Sequence, residues 1–454
     1  MKRLILICID SVRPDFLSCQ GGPARTPTLD RIAAEGVRFQ QCIAASSLSV
    51  PCFGAINTGL TPLTSSLRSH FHQKLPGNVM TLAQRLQAAG YETGCFAYPV
   101  AADSVRNTNK GFTTYESIRK PFIQDSGFCP GLSHWPAVKN WLAAHREKKS
   151  FLFLHTMQMH NPYVCGQVIR TEDDKHKREA EIHKPGVMRE AYREALQTYD
   201  QRYLSAFFDE LGAMGLLNET LIAICSDHGD GLFDHGESMH GSSLYDTLLK
   251  TVMILRLPGV IPAGKAIEQQ FRSVDLAPTL LEILGVSTDA PTGFRPMDGV
   301  SWKDALAGDA EAPELVAYSE LHDTGIYSVR QYHGGKLWKL VRMTPRSSYR
   351  LESSSGMKGL AWREWVRWRN ALQRLRRRDE PSAVAIYNIA DDPDEENNLL
   401  PFPGGQYSEI FEVLQGSFDA LQARADSHEK GEQPALTAEE TAVVNERLRD
   451  LGYI

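Results

Sequence analysis

The chain has 454 residues, 42% of them hydrophobic and 23% charged, enough apolar material for a large core and too much for a mainly disordered chain. Lysine and arginine number 49 against 55 aspartates and glutamates, a net charge of -6, which argues against a general nucleic-acid binder. Eight scattered cysteines without a Cys-x-x-Cys pair indicate neither a zinc knuckle nor a disulfide framework, and reduced thiols in the cytoplasm are expected.

The first predicted element is a strand over Leu4–Ile9. This run is too short for a secretory apolar region and ends at Asp10 without a small-residue cleavage site. A helix is predicted over Leu29–Phe39, apolar at 29, 32, 33 and 37, with Thr28 as its N-cap. Phe151–His155 and Leu221–Cys225 are continuously apolar, as strands buried on both faces are. Val252–Leu257 and Leu276–Leu284 supply a further strand and helix. Alternation of this kind predicts an α/β fold with a large, mostly parallel sheet flanked by helices. The charged stretch 167–197 reads as a solvated helical lid or insertion. Beyond Gly299, short strands at 317–321, 326–330, 337–341 and 385–389 predict a smaller sheet, and the last 45 residues read as two helices. The expected division is a catalytic domain over 1–325 and a smaller α+β domain over 326–454.

The buried strands end on chemistry-bearing side chains. Asp10 follows the first, His155 and His160 the one near 150, and Asp227-His228-Gly229-Asp230 the one near 220. Ligands of open α/β sheets bind outside the carboxyl ends of the strands. Singly, Asp10 reads equally well as a turn cap, and a lone histidine as a core group. Jointly they suit a divalent cation held by oxygen and nitrogen ligands. A second feature is Ser49-Val-Pro51 through Thr58-Gly59, with Pro51 suited to a helix start and Gly59 to its stop. Ser49 then lies where free amides and the helix dipole favour anions. The local sequence alone favours Ser49 as a plain N-cap over a metal-activated nucleophile.

The motifs taken together are similar to those of the sulfatase family, within the alkaline phosphatase superfamily, over nearly the whole chain. Ile9-Asp-Ser-Val-Arg-Pro-Asp15 resembles its first metal motif, and Ser49-x-Pro51 through Thr58-Gly59 its nucleophile signature. His160-Asn-Pro-Tyr163 resembles its substrate-contacting histidine segment, and Ser226-Asp-His-Gly-Asp-Gly231 through His235-Gly236 its second metal motif. Thr26–Phe39, Val274–Leu281 and Tyr387–Leu399 are also family-like. The resemblance implies an alkaline phosphatase-like fold and one divalent metal, Ca2+, Mn2+ or Mg2+, held by Asp10, Asp227, His228 and Ser49. It implies attack by Ser49, or its formylglycine derivative, on a small anionic ester, with His160 and His240 contacting the anion or protonating the leaving oxygen. Ser11, Arg13, His235 and Lys250 are implied substrate or supporting groups. Asp234, Glu237 and His155 are expected to support the site, and Asp15 and Arg13 to brace the first loop.

The sequence departs from the family pattern at defined places. The arginine usual four residues after the nucleophile is Phe53, which speaks against conversion of Ser49 to formylglycine. Ser11 replaces the second aspartate of the usual pair. Gly94-Cys-Phe-Ala-Tyr-Pro99 stands where many sulfatases have Gly-Lys-Trp-His, so two anion-contacting groups are missing. His240 stands where a lysine is often found, with Lys250 nearby. Sulfate-ester hydrolysis stays slightly ahead of phosphate or phosphonate ester hydrolysis by unmodified Ser49. A catalytically weak binder of anionic ligands is the alternative of another class. Trp362, Trp365 and Trp368 among arginines over 361–378 could lie on an anionic membrane surface. Packing on the core or a homo-oligomer contact is favoured for them.

Overall fold

The computed structural model describes residues 2–70, 73–117, 135–167, 169–308, 310–343, 384–400, 405–427 and 435–450. The tryptophan-arginine stretch 361–378 lies outside them.

Among the described residues nine strands form the main sheet: β1 (Arg3–Ile9), β2 (Val37–Ile43), β3 (Glu92–Ala97), β4 (Thr114–Ser117), β5 (Ser150–Thr156), β6 (Thr220–Cys225), β7 (Lys250–Thr251), β8 (Met253–Arg256) and β9 (Lys265–Arg272). Their order is β4-β3-β5-β1-β6-β8-β2-β7, with β9 paired to β2. Pairing is parallel from β4 to β6 and between β2 and β9, and antiparallel where β8 joins β6 to β2. The mixed, mostly parallel sheet is the one the sequence predicts.

Every residue of β1 is buried. Because side chains alternate across a strand, Leu4, Leu6 and Cys8 enter one core while Ile5, Ile7 and Ile9 enter the other. Phe151 and Phe153 join the first core and Leu152 the second, which is why these strands read as unbroken apolar runs. The register fixes the site: Cys8 lies opposite both His155 and Cys225. Asp10 and Asp227, each two residues further on, therefore emerge side by side.

One predicted element is corrected. The helix is Pro27–Ala34, and Val37–Ile43 is β2. Val37, which extends the helical pattern, begins an alternation with Phe39 in which both face the core. Gly36 permits the switch, since a Cβ there would lie 2.2 Å from the Leu255 carbonyl oxygen. Thr28 lies inside the helix and does not cap it. Asp200 does so from a distance, its carboxylate accepting from Thr28 N and Leu29 N at 2.9 and 2.8 Å.

The second sheet is antiparallel: β10 (Ala317–Leu321), β11 (Ile326–His333), β12 (Lys336–Met343) and β13 (Val384–Asn388), in that order. Its first strand precedes residue 325. Helix Ser408–Ser427 covers one face, with the Phe418 ring stacked 3.8 Å from Tyr327. β10 also supports the approach to Ser49: Ser319 Oγ donates to the Ala44 carbonyl at 2.6 Å, and Ser46 Oγ to the Glu320 carbonyl at 2.6 Å.

A buried charge cluster joins the two sheets. Lys339 Nζ on β12 lies 2.7 Å from Asp246 Oδ1 and 2.7 Å from Glu395 Oε1. Arg330 Nη2 reaches Asp246 Oδ2 at 3.2 Å. Asp246 begins the helical turn Asp246–Leu249, against which the loop after β6 rests through Gly229 N to Leu248 O at 2.8 Å. Among the described residues no helix is long and apolar enough to cross a membrane.

Candidate active site

The helix carrying Ser49 runs Ser49–Thr58 and is buried throughout. Gly59 ends it in the left-handed conformation, φ 70°. Ser49 is its first residue and not its cap, which corrects the N-cap reading. Leu48 holds the cap position, and the Ser49 hydroxyl meets His228 Nε2 at 3.0 Å. The hydroxyl points away from its own helix because a better partner lies across the crevice.

His228 has a defined face. Its Nδ1 lies 2.8 Å from the Gly229 carbonyl oxygen, which can only accept, so Nδ1 carries the proton. Nε2 then offers a lone pair toward Ser49. Burial opposes the imidazolium, but Asp227 and Asp10 outweigh it and raise His228 above its ordinary value. Asp227 Oδ1 is held by Ser11 N at 3.0 Å and His228 N at 2.9 Å. Ser11 takes a left-handed φ of 59° to make that contact. Its hydroxyl donates to Asp10 Oδ1 at 2.8 Å, and His155 Nε2 lies 3.3 Å from Asp10 Oδ2. Burial alone would raise Asp10, but His155, His160 and His228 hold its carboxyl well below the ordinary range. Asp227 is pushed up, by burial and then by Asp10.

These groups fit a divalent cation. Asp10, Asp227 and His228 each offer one ligand atom within 4.8 Å of the others, and all three are buried. Asp227 Oδ2 is buried with no hydrogen-bond partner, although it lies 3.3 Å from His228 Nε2. A buried carboxylate oxygen left this way is costly unless a cation takes it. Two hard oxygens and a neutral imidazole are the donors such a cation prefers.

The other side of the crevice is made of histidines. The His240 ring lies 4.3 Å from that of His228 and 5.1 Å from that of His160. Burial and the neighbouring His228 push His240 down to about 4, against the opposing pull of Asp230. Asp230 Oδ1 lies 3.6 Å from His240 Nδ1, and its Oδ2 accepts from the Tyr163 hydroxyl at 2.6 Å. His160 Nδ1 meets the Asn161 carbonyl at 2.8 Å, which turns the opposite ring edge outward.

The remaining sequence candidates occupy other places. Arg13 pairs with Asp15 at 2.8 Å and Asp234 at 2.7 Å and donates to the Asp230 carbonyl, bracing one loop on the other. His235 stacks on Tyr245 with centroids 3.7 Å apart. Lys250 faces Asp246, whose carboxyl it helps lower after Arg330 and Lys339. Ser243 Oγ donates to Glu237 at 2.8 Å. Asp230, Tyr163 and Tyr98 were not singled out as site residues by sequence reasoning. Asp230 lay in view within the second metal motif.

The departures also acquire a physical account. Phe53 packs its ring 4.7 Å from His155, edge to face, and Tyr98 approaches the same imidazole at 5.6 Å. A fully buried aromatic wall replaces the family arginine there.

The sulfatase family model matches residues 2–286. The chain belongs to the sulfatase family. It is 23% identical to mouse (Mus musculus) steryl-sulfatase, over 92% of this chain and 82% of that one. It is 24% identical to human arylsulfatase A, over 95% of this chain and 91% of that one. This sulfatase-family fold is shared with a protein solved with its substrate D-glucosamine-2-N,6-O-disulfate, at a TM-score of 0.68 and 18% identity, covering 95% of this chain and 100% of that one. It is shared equally with the phosphonate monoester hydrolase of Agrobacterium radiobacter, at a TM-score of 0.68 and 16% identity, covering 96% and 99% of the two chains.

Proposed function

We propose that the protein is a metal-dependent sulfate-ester hydrolase in which Ser49, as serine, is the nucleophile. The observation that carries this is the Ser49 hydroxyl 3.0 Å from His228 Nε2, at a helix start and beside the buried ligand trio. When bound by Asp10, Asp227 and His228, a divalent cation would lower the hydroxyl pKa and neutralise ester oxygens. The chain's own residues do the rest. The first amides of helix Ser49–Thr58 face the anion with the positive dipole end. The Asp10 and Asp227 carboxylates are fixed by Ser11 and His155, so the cavity needs little rearrangement on binding. His160, whose ring lies 5.1 Å from that of His240, is the group assigned to hold the proton that the leaving oxygen takes, and His240, kept neutral by burial and His228, is assigned to contact the anion.

Serine chemistry is supported by Phe53, which stands where the family's nucleophile signature carries an arginine and packs its ring against His155. The same observation favours a second reading, hydrolysis of phosphate or phosphonate monoesters. A phospho-serine is opened by water attacking phosphorus with the Ser49 oxygen leaving; a sulfo-serine lacks the second hydroxyl through which a diol expels sulfate, so it too must be released by water attacking sulfur, the harder of the two displacements. Substrate choice is expected from Glu172–Ile182 and Pro185–Thr198, the 98–112 segment and the C-terminal region.

The experiment is turnover of aryl sulfate, aryl phosphate and a phosphonate monoester with Ca2+, Mg2+ or Mn2+. Sulfate turnover that disappears in Ser49→Ala is expected. Faster turnover of the phosphorus esters would select the second reading, and turnover of none of the three would overturn both.

A further inference from the structure

Asp230 closes the Asp227-His228-Gly229-Asp230 run, yet its carboxylate engages other loops rather than the ligand trio. The residue is fully buried. Oδ2 accepts from the Tyr163 hydroxyl at 2.6 Å. A hydroxyl that close to a carboxylate makes a charge-assisted bond, roughly twice as strong as a neutral one. Oδ1 accepts from Gly231 N at 3.0 Å and lies 3.6 Å from His240 Nδ1. The Asp230 carbonyl accepts from Arg13 Nη1 at 3.1 Å.

Tyr163 brings that hydroxyl on the loop after β5. Its amide donates to the His160 carbonyl at 2.9 Å, and the His160 amide to the Met157 carbonyl at 3.1 Å, so Tyr163 closes the turn on which His160 sits. His160 Nδ1 meets the Asn161 carbonyl inside the same turn, which leaves Nε2 as the atom that can pass a proton outward. That contact sets the ring within the turn, but it does not set the turn within the crevice. Tyr163 does the second task. It is fully buried at a φ of 55°, a conformation that a bulky residue keeps only where its surroundings over-determine it. Its ring meets Tyr192 edge to face at 5.3 Å. The Tyr192 hydroxyl donates to the Ser11 carbonyl at 2.9 Å and accepts from Arg13 N at 2.8 Å. The loops after β1, β5 and β6 therefore meet at the Tyr163–Asp230 pair.

We propose that Tyr163 is a positioning residue for His160, registering its turn against the second metal motif through the hydrogen bond to Asp230. This rests on His160 holding the proton that the leaving oxygen takes. As the Ser49 oxygen bonds to sulfur or phosphorus, the bond to the alcohol oxygen breaks, and His160 Nε2 delivers its proton to that oxygen. Such a transfer is steep in distance, so a turn that drifts loses it while the metal ligands and the nucleophile stay in place. The ester with the more basic leaving oxygen needs the proton more.

The test is kcat/KM of the metal-supplemented full chain for two aryl sulfates, one releasing nitrophenol and one releasing phenol, or for the matching phosphorus esters if those turn over faster. Tyr163→Phe keeps the ring and deletes the hydroxyl. Its kcat/KM is expected to fall about tenfold for the phenyl ester and less than about twofold for the nitrophenyl ester. A merely structural loss would lower both alike. Asp230→Asn makes the charge-assisted bond a neutral one. It carries the same expectation at about threefold if the thermal midpoint shows that Tyr163→Phe does not fold. His160→Ala is the reference and should separate the two esters most. Separation in His160→Ala with none in folded Tyr163→Phe or Asp230→Asn would overturn the inference and leave the proposed function standing. No separation in His160→Ala would overturn the assignment of the proton to His160, and the inference with it. A wild-type protein that turns over neither kind of ester would overturn the proposed function as well.

Discussion

The two sides of the crevice are built on different principles. The metal-facing side comes from strand ends: Asp10 after β1 and Asp227-His228 after β6, aligned by the parallel register of three central strands. The proposed anion-facing side comes from loops: His160 and His240, set by the Asn161 carbonyl and Asp230. A strand end is fixed by the whole sheet, so its chemistry can be read from an apolar run followed by a carboxylate. A loop is fixed by individual carbonyl and side-chain partners, such as Asn161 and Asp230, so its histidines are legible only through motif resemblance. The comparison teaches where such a scaffold keeps its reaction and where it can change its substrate.

The largest expected effect is on the metal-facing side. Ser49→Ala removes the atom that forms the new bond, and kcat for the ester should fall by about a thousandfold or more, read by steady-state kinetics. A loss of tenfold or less would mean that the two sides do not meet at Ser49.

Next in size is the clamp between the sheets. Lys339→Met leaves Asp246 and Glu395 buried without their shared cation, at a cost of ~3–5 kcal/mol in unfolding free energy by denaturant titration. The metal-facing side rests on the Asp246–Leu249 turn, so this variant should also weaken activity through stability. An unchanged unfolding midpoint would separate the second sheet from the site.

Metal removal comes third. A chelator should lower the thermal midpoint, because a cation present at a hundredfold over its Kd adds ~2.7 kcal/mol to the folded state. Asp227→Asn should abolish that difference, while a variant on the anion-facing side, His240→Ala, should keep it. A chelator effect that persists in Asp227→Asn would place the cation elsewhere.

The remaining effect is a pH dependence at the clamp. Burial and the nearby Asp246 raise Glu395 to about 7, against the pull of Lys339. A raised acid binds more protons folded than unfolded, so its contribution is fully present below the ordinary carboxylate value near 4.5 and is lost as pH rises through 7. Glu395→Gln should flatten that part of the stability profile between pH ~4.5 and ~7, measured by denaturant midpoints. A slope that survives the substitution would assign it to another group.

The sequence exposed the sheet, the strand-end ligands and the family because each is local: apolar runs bounded by Asp or His, and motifs in order. It misplaced the helix at 29–39 because Val37 continues one period while beginning another. Locally it favoured Ser49 as a cap, and only the family resemblance pointed to a nucleophile, because its partner, His228, is 179 positions away. Phe53 was visible as a departure, but only packing shows it against His155, which in turn contacts Asp10.

The central claim is that position 49 works as an unmodified serine. The direct measurement is mass spectrometry of the peptide spanning 49, from resting protein and from protein quenched during turnover. The account predicts a serine mass at rest and an ester adduct on Ser49 in the quenched sample. A resting peptide about two daltons lighter, the mass of an aldehyde at 49, or an adduct on another residue would contradict it.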